Sequence, residues 1–188
     1  MIQLLIICPL VFLAGFIDAI AGGGGLISLP AYLFAGLPVH NAIATNKLSS
    51  AMGTTISTIK YAANGFINYK RAIPCFVLAL VGSFLGANLA LIISEKVFII
   101  IMLVILPFIA FYVLKTKNFD NPKPTFSNPK TLILCLIPAF FIGMYDGFYG
   151  PGTGKFLLLL LTGMARVSLN EAAGTTKVIN LTSNITSL

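Results

Sequence analysis

Charge is what this chain has least of. Only 9% of its residues are charged and five are acidic, where an ordinary soluble domain carries roughly a quarter charged residues. No long polar stretch separates the apolar ones, which excludes a soluble domain between them. Histidine occurs once, at His40. No Cys/His cluster surrounds it and no serine pairs with it, so no catalytic residue and no metal site is expected. The three cysteines, Cys8, Cys75 and Cys135, sit singly in apolar runs. They lack metal-ligand spacing, and their odd number argues against a disulfide framework. The net charge of +7 is modest and scattered, which does not suggest nucleic acid. No Lys or Arg precedes Lys47. The charged leader of a secretory signal is therefore missing, although Ala19-Ile20-Ala21 imitates its cleavage site.

What is there is apolar: 57% of the residues are hydrophobic. Several runs reach the roughly 20 residues that cross a bilayer as a helix. The expected fold is therefore all-α, a polytopic integral membrane protein. Residues 2–20 make the first apolar helix, and four glycines then interrupt it. The piece from Leu26 to Leu37 reaches only about 16 Å, half the hydrocarbon core. Such breaks at membrane depth are tolerated where the freed backbone is buried in protein or lines a wet cavity. Gly36-Leu37-Pro38 turns the chain, and Asn41 is a candidate cap for the next helix. That helix, 42–63, is rich in Ala, Ser, Thr and Gly, with Lys47, Ser50, Thr54 and Ser57 on one face. Residues 72–93 form a span whose Gly82 and Gly86 suit close helix contact. Residues 97–114 form the most uniformly apolar span. A Lys- and Pro-rich linker, 115–130, follows.

From Thr131 the same order returns: apolar helix to Phe148, glycine break, short piece 156–163, small-residue helix from Ala172. Residues 1–114 are read as a first transmembrane repeat, 115–130 as a cytoplasmic linker, and 131–188 as a second repeat. The second lacks counterparts of the spans in 72–114, so the chain is expected to be C-terminally incomplete. Lys and Arg concentrate in 60–71 and 115–130, which the positive-inside rule assigns to the cytoplasm. If each glycine-broken helix is re-entrant, each complete unit has three spans and the two repeats are inverted, a recurring plan in secondary transporters.

Asp18 and Asp146 lie 128 residues apart, and Lys47 and Lys177 lie 130 apart, because the second unit carries a small insertion after its glycine turn. On the second offset Ser50 meets Asn180, and a lysine heads both polar faces. A lysine facing inward at depth costs at least about 2.5 kcal/mol, so something must compensate it. One reading has Lys47 snorkelling to a nearby interface, or pairing with Asp18 or Asp146 as structural glue. The other has Lys47 and Lys177 attracting a small anion. The glycine breaks, Gly22, Gly23, Gly24, Gly25 and Gly150, Gly152, Thr153, Gly154, bear on the second reading. They precede the half helices, whose N-termini offer free N–H groups and partial positive charge. Asp18 and Asp146 are either proton-coupling carboxylates or acceptors that hold the glycine loops in shape. Gly152-Thr153-Gly154-Lys155 imitates a phosphate loop, but Phe156 stands where Ser or Thr would bind magnesium.

The run from Gly15 to Pro30, followed by Ala44-Thr45-Asn46-Lys47, resembles the first signature of the TauE/SafE sulfite-exporter family. Asp146 to Gly154, with Lys177-Val178-Ile179-Asn180-Leu181, resembles its second. The resemblance implies a multi-pass permease of the bacterial inner membrane exporting sulfite, sulfoacetate or related small anions, without a cofactor. Its implied partners are the lipid bilayer, a small anionic substrate and, as an open option, copies of itself in a homo-oligomer. A truncated, transport-inactive protein or one part of a split transporter or channel is the alternative. The chain departs from the family in its length and at Lys155, where a small residue is usual.

Overall fold

The computed structural model describes residues 2–21, 24–115 and 127–188. Among these the regular elements are eight helices. They are α1 (Ile2–Ala21), α2 (Gly25–Phe34), α3 (Val39–Ala63), α4 (Tyr69–Ile92), α5 (Glu95–Lys115), α6 (Asn128–Phe148), α7 (Thr153–Gly163) and α8 (Leu169–Thr186). Two meet the length and hydropathy of a membrane span, Tyr69–Ile92 and Pro129–Phe148. The two short helices, α2 with 10 residues and α7 with 11, reach about 15 Å each at 1.5 Å per residue. Gly22, Gly23 and most of the linker, 116–126, lie outside the described residues.

Two helix starts fall earlier than the sequence suggests. Helix α3 begins at Val39 behind Pro38, not at an Asn41 cap. Asn41 is already inside, and its carbonyl accepts the Thr45 hydroxyl at 2.7 Å. Helix α8 begins at Leu169 behind Ser168, whose Oγ accepts the Glu171 N–H at 3.4 Å. Ser168-Leu169-Asn170-Glu171 is a capping-box sequence, a signal that was available to find this start.

Helix α1 packs on α2 and α3, and α6 packs on α7 and α8. Helices α2 and α3 touch, as do α7 and α8, and α3 lies against α8 at the centre. Helix α4 packs most extensively on α6, through glycine. A Cβ on Gly82 would fall 2.3 Å from the Phe140 carbonyl oxygen, and one on Gly86 2.0 Å from that of Met144. From the other side, a Cβ on Gly147 would lie 2.2 Å from the Ser83 carbonyl oxygen. The Gly82-xxx-Gly86 pattern thus lets two backbones meet, the use such spacing has in membranes. The opposite face of α4 exposes Phe76, Val77, Phe84 and Leu91, side chains that a bilayer accepts and water does not.

Candidate functional site

Helix α6 ends at Phe148, two residues beyond Asp146, and the chain then takes two left-handed steps, at Gly150 (φ +99°) and Gly152 (φ +84°). Glycine tolerates these angles without strain. Gly150 must also be bare, since a Cβ there would lie 2.7 Å from Asp146 Oδ1 and 3.0 Å from Lys47 Nζ. Gly152 caps α7, and Thr153 opens it. The Thr153 hydroxyl lies 2.6 Å from the Gly150 carbonyl oxygen and 3.1 Å from Asp146 Oδ1. The Tyr145 hydroxyl donates to the Pro151 carbonyl at 2.7 Å. The break is therefore a folded turn held by its own side chains.

Lys47 crosses to this turn from α3. Its Nζ lies 2.8 Å from Asp146 Oδ1 and also donates to the Asp146 main-chain carbonyl. Lys47 is 1% exposed. The second carboxylate oxygen, Oδ2, accepts the Ser183 hydroxyl of α8. The Ser183 carbonyl in turn accepts the Ser83 hydroxyl of α4 at 3.0 Å. One hydrogen-bonded line, Ser83–Ser183–Asp146–Lys47, thus ties α4, α8, α6 and α3. Between the two readings of Lys47, this geometry gives it a partner inside the protein.

At the other break, Asp18 Oδ1 accepts the Gly24 N–H at 3.0 Å. Gly24 packs so closely on α1 that a Cβ would meet the Ala14 carbonyl at 2.3 Å. Its carbonyl receives the Ser28 hydroxyl at 3.1 Å, which also lies 2.5 Å from Asn46 Oδ1. Lys177 Nζ reaches the Asp18 main-chain carbonyl at 3.5 Å. Each lysine therefore points at the carbonyl of the aspartate on the other break. The contacts are unequal: Lys47 also holds a carboxylate, whereas the Lys177 contact is long.

Two cavities meet here. The larger, about 60 Å³, runs along the polar face of α3 past Ser50 and Ser57, with Asp18 and Lys177 on its wall. The smaller, about 30 Å³, lies between the two breaks, lined by Gly25, Gly150, Gly152, Thr153, Gly154 and Asn180 among others. Both are bordered by Asp18, Asn46 and Ser50. Each holds at least a water-sized group. Asn180 is buried, and its Oδ1 has no hydrogen-bond partner; neither has Thr176 Oγ1, one turn earlier. Such orphaned groups are costly unless something fills the gap beside them.

The structure thus gathers Asp18, Ser50, Asp146, Asn180, Lys177 and the described glycines around one pair of cavities. Lys47 sits directly behind, on Asp146. Ser28, Asn46 and Ser183 were missed as site residues. Asn46 stands one position before Lys47 and Ser183 three after Asn180, each beside its polar face and not on it. Arg71 and Glu171, 2.8 Å apart, tie α4 to α8 away from the cavities.

A family profile described as sulfite exporter TauE/SafE matches residues 7–188. The chain belongs to the TauE/SafE family. It is 40% identical over 175 residues to the probable membrane transporter protein ORF9 of a Sinorhizobium species, covering 93% of this chain and 66% of that one. With a probable membrane transporter protein of Haemophilus influenzae the identity is 37%, covering 94% and 69%. With the Escherichia coli K12 probable membrane transporter protein YfcA it is 35%, covering 92% and 64%. This TauE/SafE chain spans about two thirds of the length of those relatives. No solved structure matches it. The TauE/SafE family is one of membrane transporters, in keeping with the apolar helices.

Proposed function

We propose that this chain forms the anion-handling part of a secondary transporter in the bacterial inner membrane, moving sulfite or a small organosulfonate such as sulfoacetate. Two inverted repeats build it, α1–α5 and α6–α8, each opened by a re-entrant pair of helices broken at glycine. The matching contact pattern supports this: α1 with α2 and α3, α6 with α7 and α8, and α3 against α8. The observation that carries the function is the convergence of Lys177, both glycine breaks and the orphaned Asn180 on adjoining polar cavities. Lys47 is neutralised by Asp146, which leaves Lys177 as the cation lining the larger cavity. An oxyanion there meets the Lys177 ammonium and the Ser50 hydroxyl. The N-terminus of α2 adds its dipole. Alternating access follows from the unequal lysines: the Lys47–Asp146 contact closes one side while the Lys177–Asp18 side stands open, and inverted symmetry exchanges them.

Efflux of sulfite and of sulfoacetate from cells expressing the protein tests this. Lys177→Ala is expected to abolish efflux of whichever anion the parent protein exports. Undiminished efflux in Lys177→Ala removes the proposed site.

A further inference from the structure

We infer that the face shared by α1 and α3, beside the larger cavity, seats a further apolar helix, and that this helix comes from the third of a TauE/SafE transporter that lies outside the matched part of the longer relatives. This rests on the two-repeat reading above and concerns what closes the proposed anion site.

Helix α4 belongs to the first repeat in sequence, yet it packs on α6 and α8 of the second. Its seat there is made of small residues. Gly143 and Gly147 of α6 are buried against it. A Cβ on Gly143 would lie 3.0 Å from the Ala79 Cα, and one on Gly147 2.2 Å from the Ser83 carbonyl oxygen. On α8 the seat is Ser183, whose carbonyl accepts the Ser83 hydroxyl at 3.0 Å.

The first half carries a matching seat. With the offset of 128, Phe140, Gly143 and Asp146 of α6 fall on Phe12, Gly15 and Asp18 of α1. With the offset of 130, Ser183 of α8 falls on Gly53 of α3. Among the described residues nothing lies within 4 Å of a Cβ placed on Gly15 or on Gly53. Around them Phe12 is 77% exposed, Phe16 58% and Met52 67%. Helix α5 touches α3 but leaves both glycines uncovered.

Lipid tails suit Phe12 and Phe16, so exposed apolar side chains alone name no occupant. The cavity wall does. Gly15 and Gly53 border the larger cavity together with Ser49, Ser50, Ser57 and Lys177. Hydroxyls and an ammonium at that depth are costly unless protein or water covers them. A helix seated on the two glycines closes this wall, and the missing Cβ atoms let its backbone approach as α4 approaches α6. The chemistry of the occupant follows from α4, which fills the matching seat: apolar, with small residues four apart, as at Ala79 and Ser83 or Gly82 and Gly86. In a second copy of this chain α4 is already committed to α6 and α8, and α5 contains neither glycine nor serine. The match covers 66% of the Sinorhizobium ORF9 protein and 69% of the Haemophilus one, so about a third of each lies beyond it. In the repeat order a counterpart of α4 follows α8.

The test is cysteine cross-linking in membranes that hold this chain and, as a separate polypeptide, the part of the ORF9 protein outside the match. Cys8→Ser first removes the exposed native cysteine. Gly15→Cys and Gly53→Cys are each expected to form a disulfide with one and the same helix of the ORF9 segment when that segment carries single cysteines in turn. Phe76→Cys, on the exposed face of α4, is expected to form none. Gly15→Trp is expected to lower co-purification of the segment about tenfold or more, because a bulky side chain overpacks a glycine contact, and Phe76→Trp to leave it unchanged. Failure of either glycine position to cross-link, or cross-linking from Phe76→Cys alone, overturns the inference. So does unchanged co-purification with Gly15→Trp. A homodimer formed by Gly15→Cys in the absence of the segment overturns it too, by making a second copy the occupant. Each of these results leaves the anion site standing, since efflux by Lys177→Ala tests that site separately.

Discussion

Replacing Lys47 by methionine and, separately, Lys177 by methionine is expected to have opposite consequences. Lys47 is 1% exposed, with its Nζ 2.8 Å from Asp146 Oδ1. Methionine fills much the same volume, so the loss is electrostatic. It leaves a buried carboxylate without its cation, which costs about 3–5 kcal/mol. Lys177 makes a 3.5 Å contact to a neutral carbonyl and borders a cavity. Its removal takes a cation from beside Asp18, but that carboxylate is only half-buried and borders both cavities, and an interhelical hydrogen bond in a membrane is worth about 0.6 kcal/mol on average. Lys47→Met is therefore expected to destabilise strongly, and Lys177→Met mildly while removing anion binding. The assay is equilibrium unfolding in mixed micelles, with the double variant Lys47→Met/Asp146→Asn completing a cycle. Asparagine keeps one oxygen to accept from Ser183, and its amide can donate to Thr153 Oγ1, so the double variant is expected to recover most of the loss, a coupling of about 2–3 kcal/mol. Equal destabilisation by the two single variants, or a double variant no better than Lys47→Met alone, refutes the reasoning.

Gly86→Ala is expected to cost about 1–3 kcal/mol by overpacking, because its Cβ would fall 2.0 Å from the Met144 carbonyl; the same unfolding assay reads it, with Gly15→Ala, which meets nothing within 4 Å, as control. The Arg71–Glu171 pair is about one-fifth exposed on each side. Arg71→Met leaves the partly buried Glu171 without its cation and is therefore expected to cost about 1–3 kcal/mol, read in the same unfolding assay.

Much of the architecture was written in periodicity and punctuation. Gly24 and Gly25, then Gly150 and Gly152, marked both breaks, and the Gly82–Gly86 spacing marked the α4–α6 contact. The start of α3 was misplaced because Asn41 has a capping side chain while Pro38, which offers only a fixed φ, marks the true start. Placing Lys47 on one helical face said that it points inward; which acid it meets is a tertiary fact. Asp18 and Asp146 were equally near in chain logic, and the choice of Asp146 depends on how α3, packed on α8, brings Lys47 to the second break. Ser183 escaped notice for the same reason. It lies to the side of the Lys177–Asn180 face, toward α4 and α6, and only the packing of those helices gives it Asp146 and Ser83 as neighbours.

The central claim is a location: an anion on Lys177, between the two glycine breaks. The most direct measurement is an experimental structure of the protein with 2-bromoethanesulfonate, with the bromine located by anomalous scattering. The account predicts the sulfonate within hydrogen-bond reach of Lys177 Nζ, in the cavities that Asn46 and Ser50 share, with Lys47 still on Asp146. A sulfonate bound instead at Lys155, or displacing Asp146 from Lys47 while Lys177 stays unoccupied, contradicts it.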